Sequence, residues 1–465
     1  TGNKAAPLRT TGTIKARNVD LSLAQPFLPP QQPGQLAGRG DFEVNFEQEG
    51  PAPQKLTYTG SATVRGAAYT QSGLVDNLQK LDAKLLFNSQ EFTVESCRAK
   101  FGSGTFDLQG KLRDPFPYFL PPELQGNTVM KTPHLTFTLR SPRLDVDKLM
   151  PAASPTGPRG QITSGSSTKT ATSAITMEFP DLTCDGTFKA DSLIYMQVPF
   201  TQVTGEAKIR DRVMSCTQVK GDVYHGKVEG QVDINLKDLN NPVYTGNYQA
   251  KAIEVNDFVS RFAGLKGVVF GGCNLGGNFA TQGRDPNTIR NNLTLEADAG
   301  LKQGKLVTTG NVHKALTLLA SQAGQTLGNE QILRDLATRI KVDSGRVGLE
   351  NLSTQLGQFG ELSFGGYYAF SGEVNYTGKI MLTKDQTSRL FSGGVLGELG
   401  KLLGSQKPER LELPLSVGGT RSDPKVKLDL GSVTSELQQK AVKEQGTKLE
   451  DAAKSKLNDL LKKWK

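Results

Sequence analysis

The sequence predicts a mainly β protein: an elongated, twisted antiparallel sheet of repeated strand units forming an open groove, with a few amphipathic helices toward the C-terminus. Three observations carry this expectation. The first is alternation. In 104–112, Phe106, Leu108 and Leu112 share one parity, while Asp107, Gln109 and Lys111 take the other. In 226–236, Val228, Val232, Ile234 and Leu236 oppose Glu229, Gln231, Asp233 and Asn235. Alternate side chains of a strand point to opposite faces, so each strand has one dry and one wet face, as in antiparallel sheets. The second is a repeated defect. The segment 245–258, TGNYQAKAIEVNDF, changes apolar parity between Ala252 and Ile253, which implies a bulge or bend. The third is composition: 51 glycines, 36% hydrophobic and 7% aromatic residues suit many short strands and turns better than one thick core.

The bent phrase occurs three times. TGTIKARNVDLSLA at 11–24 and TFTLRSPRLDVDKL at 136–149 change parity in the same way. Each copy ends apolar–acidic–apolar–polar: Val19-Asp20-Leu21-Ser22, Leu144-Asp145-Val146-Asp147 and Ile253-Glu254-Val255-Asn256. A shared defect at a shared place argues for a repeat architecture. It predicts breaks at 18–19, 140–143 and 252–253. The acidic residues at 20, 145 and 254 are expected to fix the outward face of the bent strand rather than to form a reactive site.

In chain order, 1–150 is an N-terminal β-repeat region. Its larger unit, 56–149, is repeated by 182–258. Between them 151–174, rich in Ser, Thr, Pro and Gly, is a linker or loop by composition. A second β region spans 175–432. Within it, apolar spacing in 312–323 and at Ile332, Leu333, Leu336, Ala337 and Ile340 predicts helices over 312–341. In 360–382, Leu362, Phe364, Tyr368, Phe370, Val374, Tyr376, Ile380 and Leu382 are all even-numbered and predict a strand pair. Thr383 and Gln386 make a capping box for a helix over 384–404, broken at Gly393-Gly394. The segment 433–465 is a basic amphipathic helix with Leu449, Leu457, Leu460, Leu461 and Trp464 on one face. It could close the end of the sheet, lie on an anionic membrane surface or dock on an envelope protein partner.

Little in the residues points to chemistry. His134, His225 and His313 are scattered without metal-ligand spacing, and no cofactor is implied. Neither a phosphate-binding loop nor a nucleophile elbow is present. Cys97, Cys184, Cys216 and Cys273 allow three pairings, among which sequence cannot choose. The formal charge of +9 comes from 55 basic and 46 acidic residues that are well interspersed, with no nucleic-acid signature. No apolar run of about 18 residues is present to cross a membrane as a helix. The chain opens on Thr1, almost directly in a repeat strand, so a longer parent with an N-terminal membrane segment is expected.

One resemblance is carried by LTLEADAGLKQGKLVTTGNVHKAL at 293–316, GGYYAFSGEVNYTGKIMLT at 365–383 and LELPLSVGGTRSDPKVKLDL at 411–430. With the phrase at 253–256 and the Gly-rich strands after it, this order resembles the C-terminal region of the AsmA-like family of diderm bacteria over roughly 180–432. The insertions at 117–133 and 151–174 depart from it. The resemblance implies a periplasmic β-groove tethered to the inner membrane by an N-terminal segment. It also implies a non-enzymatic role in outer-membrane biogenesis, with phospholipid acyl chains as partners carried between the two membranes. The groove candidates are Phe106, Leu108, Leu112, Val228, Val232, Ile234, Leu236, Phe364, Tyr368, Phe370, Val374 and Tyr376. The alternative is a structural or assembly factor for outer-membrane proteins, with a closed β core and function in protein contacts.

Overall fold

In the computed structural model the fold is mainly β: 21 described strands in an open, twisted sheet, with few helices. The structure describes residues 8–443 except 28–33, 51–55, 72–76, 103, 116–130, 150–178, 180, 263–265, 309–312, 314–316, 318–325, 327, 393–395, 404–406, 421–422 and 441. The linker 151–174, most of the insertion 117–133 and the C-terminal face from Leu449 to Trp464 therefore lie outside the described residues. Contacts divide the chain into two compact units.

The first unit holds ten complete strands: β1 (Arg9–Asp20), β2 (Gly34–Glu49), β3 (Leu56–Gln71), β4 (Leu78–Asn88), β5 (Glu91–Phe101), β6 (Gly104–Arg113), β7 (His134–Asp145), β8 (Thr183–Tyr195), β9 (Val198–Arg210) and β10 (Val213–Val223). It also holds most of β11 (Gly226–Asn235) and the first half of β12 (Val243–Glu254). Consecutive strands from β1 to β10 pair antiparallel, with one exception: β7 and β8 run parallel. The repeat explains the exception. Each copy has five strands, β3–β7 and β8–β12, so its first and last strands point the same way. Joining β7 to β8 side by side needs a long return, and 146–182 is that return.

All three bent strands break where the parity changes. The β1–β2 register shifts between Ala16 and Val19, and Asn18 has φ 54°. In β7, Arg140 and Arg143 face Asp107 and Thr105, so two residues oppose one, and Ser141 Oγ donates to the Thr105 carbonyl at 2.6 Å. In β12, Ala252 has φ 55° and its N–H donates to Asn274 Oδ1 at 2.9 Å. Asn18 N–H donates likewise to Asp41 Oδ1 at 2.8 Å. The left-handed residue turns its amide out of the ladder, and a side chain on the next strand receives it.

Two of the phrase's acidic residues, Asp20 and Glu254, also make local contacts to the turn that follows. A short helical turn follows each bent strand: a 3-10 turn at Leu21–Phe27, α1 (Val146–Leu149) and α2 (Val255–Phe262). Asp20 accepts from Ser22 N–H at 2.9 Å, and Glu254 accepts from Asn256 N–H at 3.3 Å. These carboxylates cap the turn, whose first amides have no partner inside it. Asp147 accepts from the Met196 and Gln197 amides at 2.6 Å each, tying α1 to the β8–β9 turn.

The second unit holds the end of β12, α2, β13 (Val269–Phe270), the start of β14 (Gly272–Gln282), and an antiparallel run β15 (Thr294–Val307), β16 (Glu330–Asp343), β17 (Arg346–Leu356), β18 (Gly360–Ala369), β19 (Val374–Leu382), β20 (Glu412–Thr420) and β21 (Asp423–Leu428). The helix expected at 331–341 is strand β16. The error has a physical cause. Asp335 sits in a bulge with φ 52°, where the β16–β17 register shifts. The bulge moves the inward parity from Leu333 to Leu336 and Ile340, and a strand then mimics helical spacing. Ile332, counted in that helix, is 54% exposed. Of 312–323 the structure describes only His313 and Thr317, both helical.

Helix α3 (Pro286–Asn291) belongs to the first unit; in the second, α4 (Lys384–Ser392) and α5 (Gly397–Leu403) lie within the helical stretch expected over 384–404, and the expected break at Gly393-Gly394 lies outside the described residues. Gln386 N–H donates to Thr383 Oγ1 at 3.3 Å, which is the capping contact. A further helix covers 430–440. These helices bury Leu390, Phe391, Leu403, Val433 and Leu437 against Leu333, Leu356, Phe359, Ile380, Leu382 and Leu413. The described start of the C-terminal segment thus closes one end of the sheet's dry face, while Val442 is 70% exposed.

Candidate functional site: the dry face of the sheet

Strand registers gather Phe106, Leu108 and Leu112 on one face in the first unit, and Phe364, Tyr368, Val374 and Tyr376 on one face in the second. In the first unit Leu108 pairs with Cys97 and Leu139, Phe106 with Ala99, and Leu112 with Phe92 and Leu135. In the second, Tyr368 pairs with Val374, and Tyr376 stacks on Phe364 with centroids 5.1 Å apart and planes 15° apart. Every one of the twelve candidates is neither buried nor fully exposed. A sheet sandwiched by a second layer buries such positions among interdigitating side chains. Here they are covered from the sides by strand neighbours, whereas the end reached by α4, α5 and 430–440 has large apolar side chains that are fully buried, such as Ile380 and Leu413 at 0% exposure.

Sequence reading missed a second component of this face, its glycines. On the dry face, aromatic rings lie across glycines of the neighbouring strand. The Phe46 ring fills the space a Cβ of Gly12 would take, Phe87 that of Gly60, Phe137 that of Gly186, Phe188 that of Gly205, Phe279 that of Gly246 and Phe364 that of Gly378. For Gly205 the added Cβ would stand 2.5 Å from Phe188 Cζ. Each ring lies down rather than standing up, which levels the face. For two of these glycines the signal was legible as Gly-x-aromatic, at 186–188 and 246–248. Residues two apart share a face, so the motif sets a ring beside a gap that takes the next strand's ring.

The opposite face is wet and paired. Cross-strand ion pairs include Lys15–Glu43 at 2.9 Å, Arg98–Asp107 at 2.7 Å, Arg210–Asp185 at 2.6 Å, Arg339–Asp298 at 3.2 Å and Lys379–Glu412 at 2.9 Å. Such exposed pairs each add at most about 1 kcal/mol, but opposite charges facing each other help hold register.

Titration behaviour agrees with an apolar dry face. Burial pushes the Tyr376 phenol up to about 12, with a smaller push from Tyr368. Burial also raises the Cys184 thiol to about 11 and the Cys97, Cys216 and Cys273 thiols in the same direction. All four cysteines are free thiols. Cys97 on β5 and Cys216 on β10 occupy matching places in the two repeats, and a raised thiol is a poor nucleophile.

The histidines are held apart in separate polar contacts: His134 Nδ1 with Thr183 Oγ1 at 2.8 Å, His225 Nε2 with Asp257 at 3.6 Å, and His313 Nδ1 with Thr308 Oγ1 at 2.9 Å. Among the described residues no cluster could hold a metal ion. No described helix is long and apolar enough to cross a membrane.

The fold and face together define a class: an open β-sheet protein with one levelled apolar face and one ion-paired face. No family model, curated protein or solved structure matches the chain.

Proposed function

We propose that this is a non-enzymatic envelope protein of the AsmA-like kind, whose dry face binds or conducts phospholipid between inner and outer membranes from the periplasm. The observation that carries the reading is the half-covered state of all twelve candidate residues, beside an opposite face that carries cross-strand ion pairs. Acyl chains suit such a surface because they are smooth, linear and adaptable, and the rings across glycines leave few knobs to obstruct them. Covering about half of each methylene would give about 0.4 kcal/mol per CH2, or about 6 kcal/mol for a chain of about 16 carbons. That suffices for residence and stays low enough for exchange along the face.

The test is site-specific photocrosslinking in cells of a diderm host, followed by lipid mass spectrometry. Crosslinkers at Phe106, Val232 and Phe364 should capture phospholipid, and those at Asp107 and Glu229, on the wet face, should not. Capture at the wet positions alone, or none together with no co-purified lipid, would favour the assembly-factor reading instead.

A further inference from the structure

We propose that the dry face selects its lipid by the acyl chains and does not read the head group, an inference that rests on the lipid reading proposed for that face. Its substrate class is then diacyl phospholipids of any head-group charge.

The registers trace the face strand by strand within each unit. In the first unit one row runs from Leu108 on β6 through Cys97, Ala83, Val64 and Gly40 to Val19 on β1. The same row continues on the other side of Leu108 through Leu139 and Phe188 to Gly205 on β9. In the second unit a row runs through Ala297, Ile340, Leu349, Gly366 and Tyr376 to Val417. Outside the bulges, every position that these registers place on the dry face of β1–β10 and β15–β21 is apolar, glycine, or an uncharged hydroxyl or amide residue. The Lys, Arg, Asp and Glu residues of those strands fall on the wet face. The charged residues at bulges, Lys80, Glu95 and Asp335, are exposed.

Polar side chains on the dry face spend their donors on the protein itself. Ser141 Oγ donates to the Thr105 carbonyl at 2.6 Å, Thr354 Oγ1 to the Arg334 carbonyl at 2.9 Å, and Gln331 Nε2 to the Gly328 carbonyl at 2.9 Å. All three residues are buried. The Tyr376 phenol, pushed up to about 12 by burial, stays neutral.

A phosphodiester brings a full negative charge. Moving it from water onto a surface with neither counter-charge nor free donor is costly, so the head group stays in water beyond the strand ends. Charges near the strand ends in the first unit are already engaged with one another: Arg9 with Glu47 at 2.5 Å, Lys111 with Glu91 at 3.1 Å and Arg210 with Asp185 at 2.6 Å. What remains for a solvated head group is a weak attraction that salt screens. The binding free energy comes from the methylenes, which are the same whatever head group they carry.

The experiment incubates the full chain with vesicles holding equal amounts of phosphatidylethanolamine and phosphatidylglycerol with identical acyl chains. The protein is re-isolated and its bound lipid identified by mass spectrometry. The bound ratio should match the vesicle ratio to within about twofold. It should stay there between about 0.05 M and about 0.5 M salt. Leu108→Lys places a charge on the face and should enrich phosphatidylglycerol at least about threefold, most at low salt. Thr338→Lys, at a half-buried dry-face position of the second unit, should do the same independently; circular dichroism checks that both variants fold. Enrichment of either head group above about tenfold by the unaltered chain would overturn this inference and leave the lipid reading standing. Two folded variants with an unchanged ratio would overturn it too, since the lipid would then not touch the dry face. Absence of bound lipid from every vesicle would overturn the lipid reading and this inference together.

Discussion

Gly205 and Phe188 offer a direct test of the levelled face, because the substitution Gly205→Ala should change sign with its neighbour. An alanine Cβ at 205 would meet the Phe188 ring at 2.5 Å, against about 3.5–4 Å for ordinary contact, so the ring must lift by about 1 Å. Overpacking of this kind costs about 1–3 kcal/mol. Removing glycine from a strand returns about 0.5–1 kcal/mol by restricting the unfolded chain. The balance is a net loss of about 1 kcal/mol. Phe188→Ala alone should cost about 2 kcal/mol, since the ring is half-buried and full burial is worth about 3–5. In that background the obstacle is gone, and Gly205→Ala should stabilise by about 0.5–1 kcal/mol. The coupling is therefore about 1.5–2 kcal/mol, well outside the additivity of independent sites. Urea denaturation of the four proteins, with hydrogen exchange in β8 and β9 as the local readout, measures it. Equal effects of Gly205→Ala in both backgrounds would refute the claim that rings seated on glycines shape this face.

Three further outcomes follow from the same structure. Ala252→Val should cost about 1–2 kcal/mol, because a β-branched residue resists φ near 55°, whereas Ala252→Asn should be nearly neutral; urea midpoints compare them. Ile380→Ala, at a fully buried position beneath the helices, should cost about 2–5 kcal/mol and speed exchange in α4 and 430–440, while β3–β8 keep their protection. Stability should fall from about pH 9 toward 11: the unfolded Cys184 thiol loses its proton there, the folded thiol, raised to about 11 by burial, keeps it, and the folded state is disfavoured as pH rises. Cys184→Ala should lessen that decline between pH 9 and 10 in urea titrations, leaving the part due to the other three raised thiols.

Alternation and the repeated parity change were legible because both are local: a strand writes its faces with period two, and a bulge shifts that period once. The breaks in β1, β7 and β12 could be placed to within a residue or two for that reason. The same device misled the reading at 331–341, because one inserted residue at Asp335 turns strand spacing into apparent helix spacing, and nothing within the segment distinguishes them. Its neighbours do: Leu333 pairs with Leu356 and Ile340 with Leu349 only in the folded register. The capping role of Asp20 and Glu254 was hidden for a similar reason, since a turn of helix after a strand leaves too few residues for a periodic signal. The inward parity of Phe106, Leu108, Leu112, Phe364, Tyr368, Val374 and Tyr376 was recoverable from alternation. Their half-covered state was not, because coverage depends on what lies above a sheet rather than on what lies within it.

The glycines bear on which reading of the face is physically consistent. A sheet meant to pack on a second sheet gains from relief: large and small side chains on each surface interlock at close to crystalline density. Laying Phe137 across Gly186 and Phe188 across Gly205 removes that relief and adds glycine's entropic cost at each step. Both effects weaken sheet-on-sheet packing. Both favour contact with something that has no fixed shape to interlock with, and for which a level surface presents low barriers to sliding. Acyl chains have these properties, and a folded protein partner does not. The cost in folding energy is recovered only when the face is covered, as it would be by a ligand of the proposed kind. It also makes ring-raising substitutions such as Gly205→Ala the means of telling that ligand apart from a rigid partner. A mobile chain should tolerate the raised ring with a slower exchange rate, whereas a complementary protein surface should lose affinity outright.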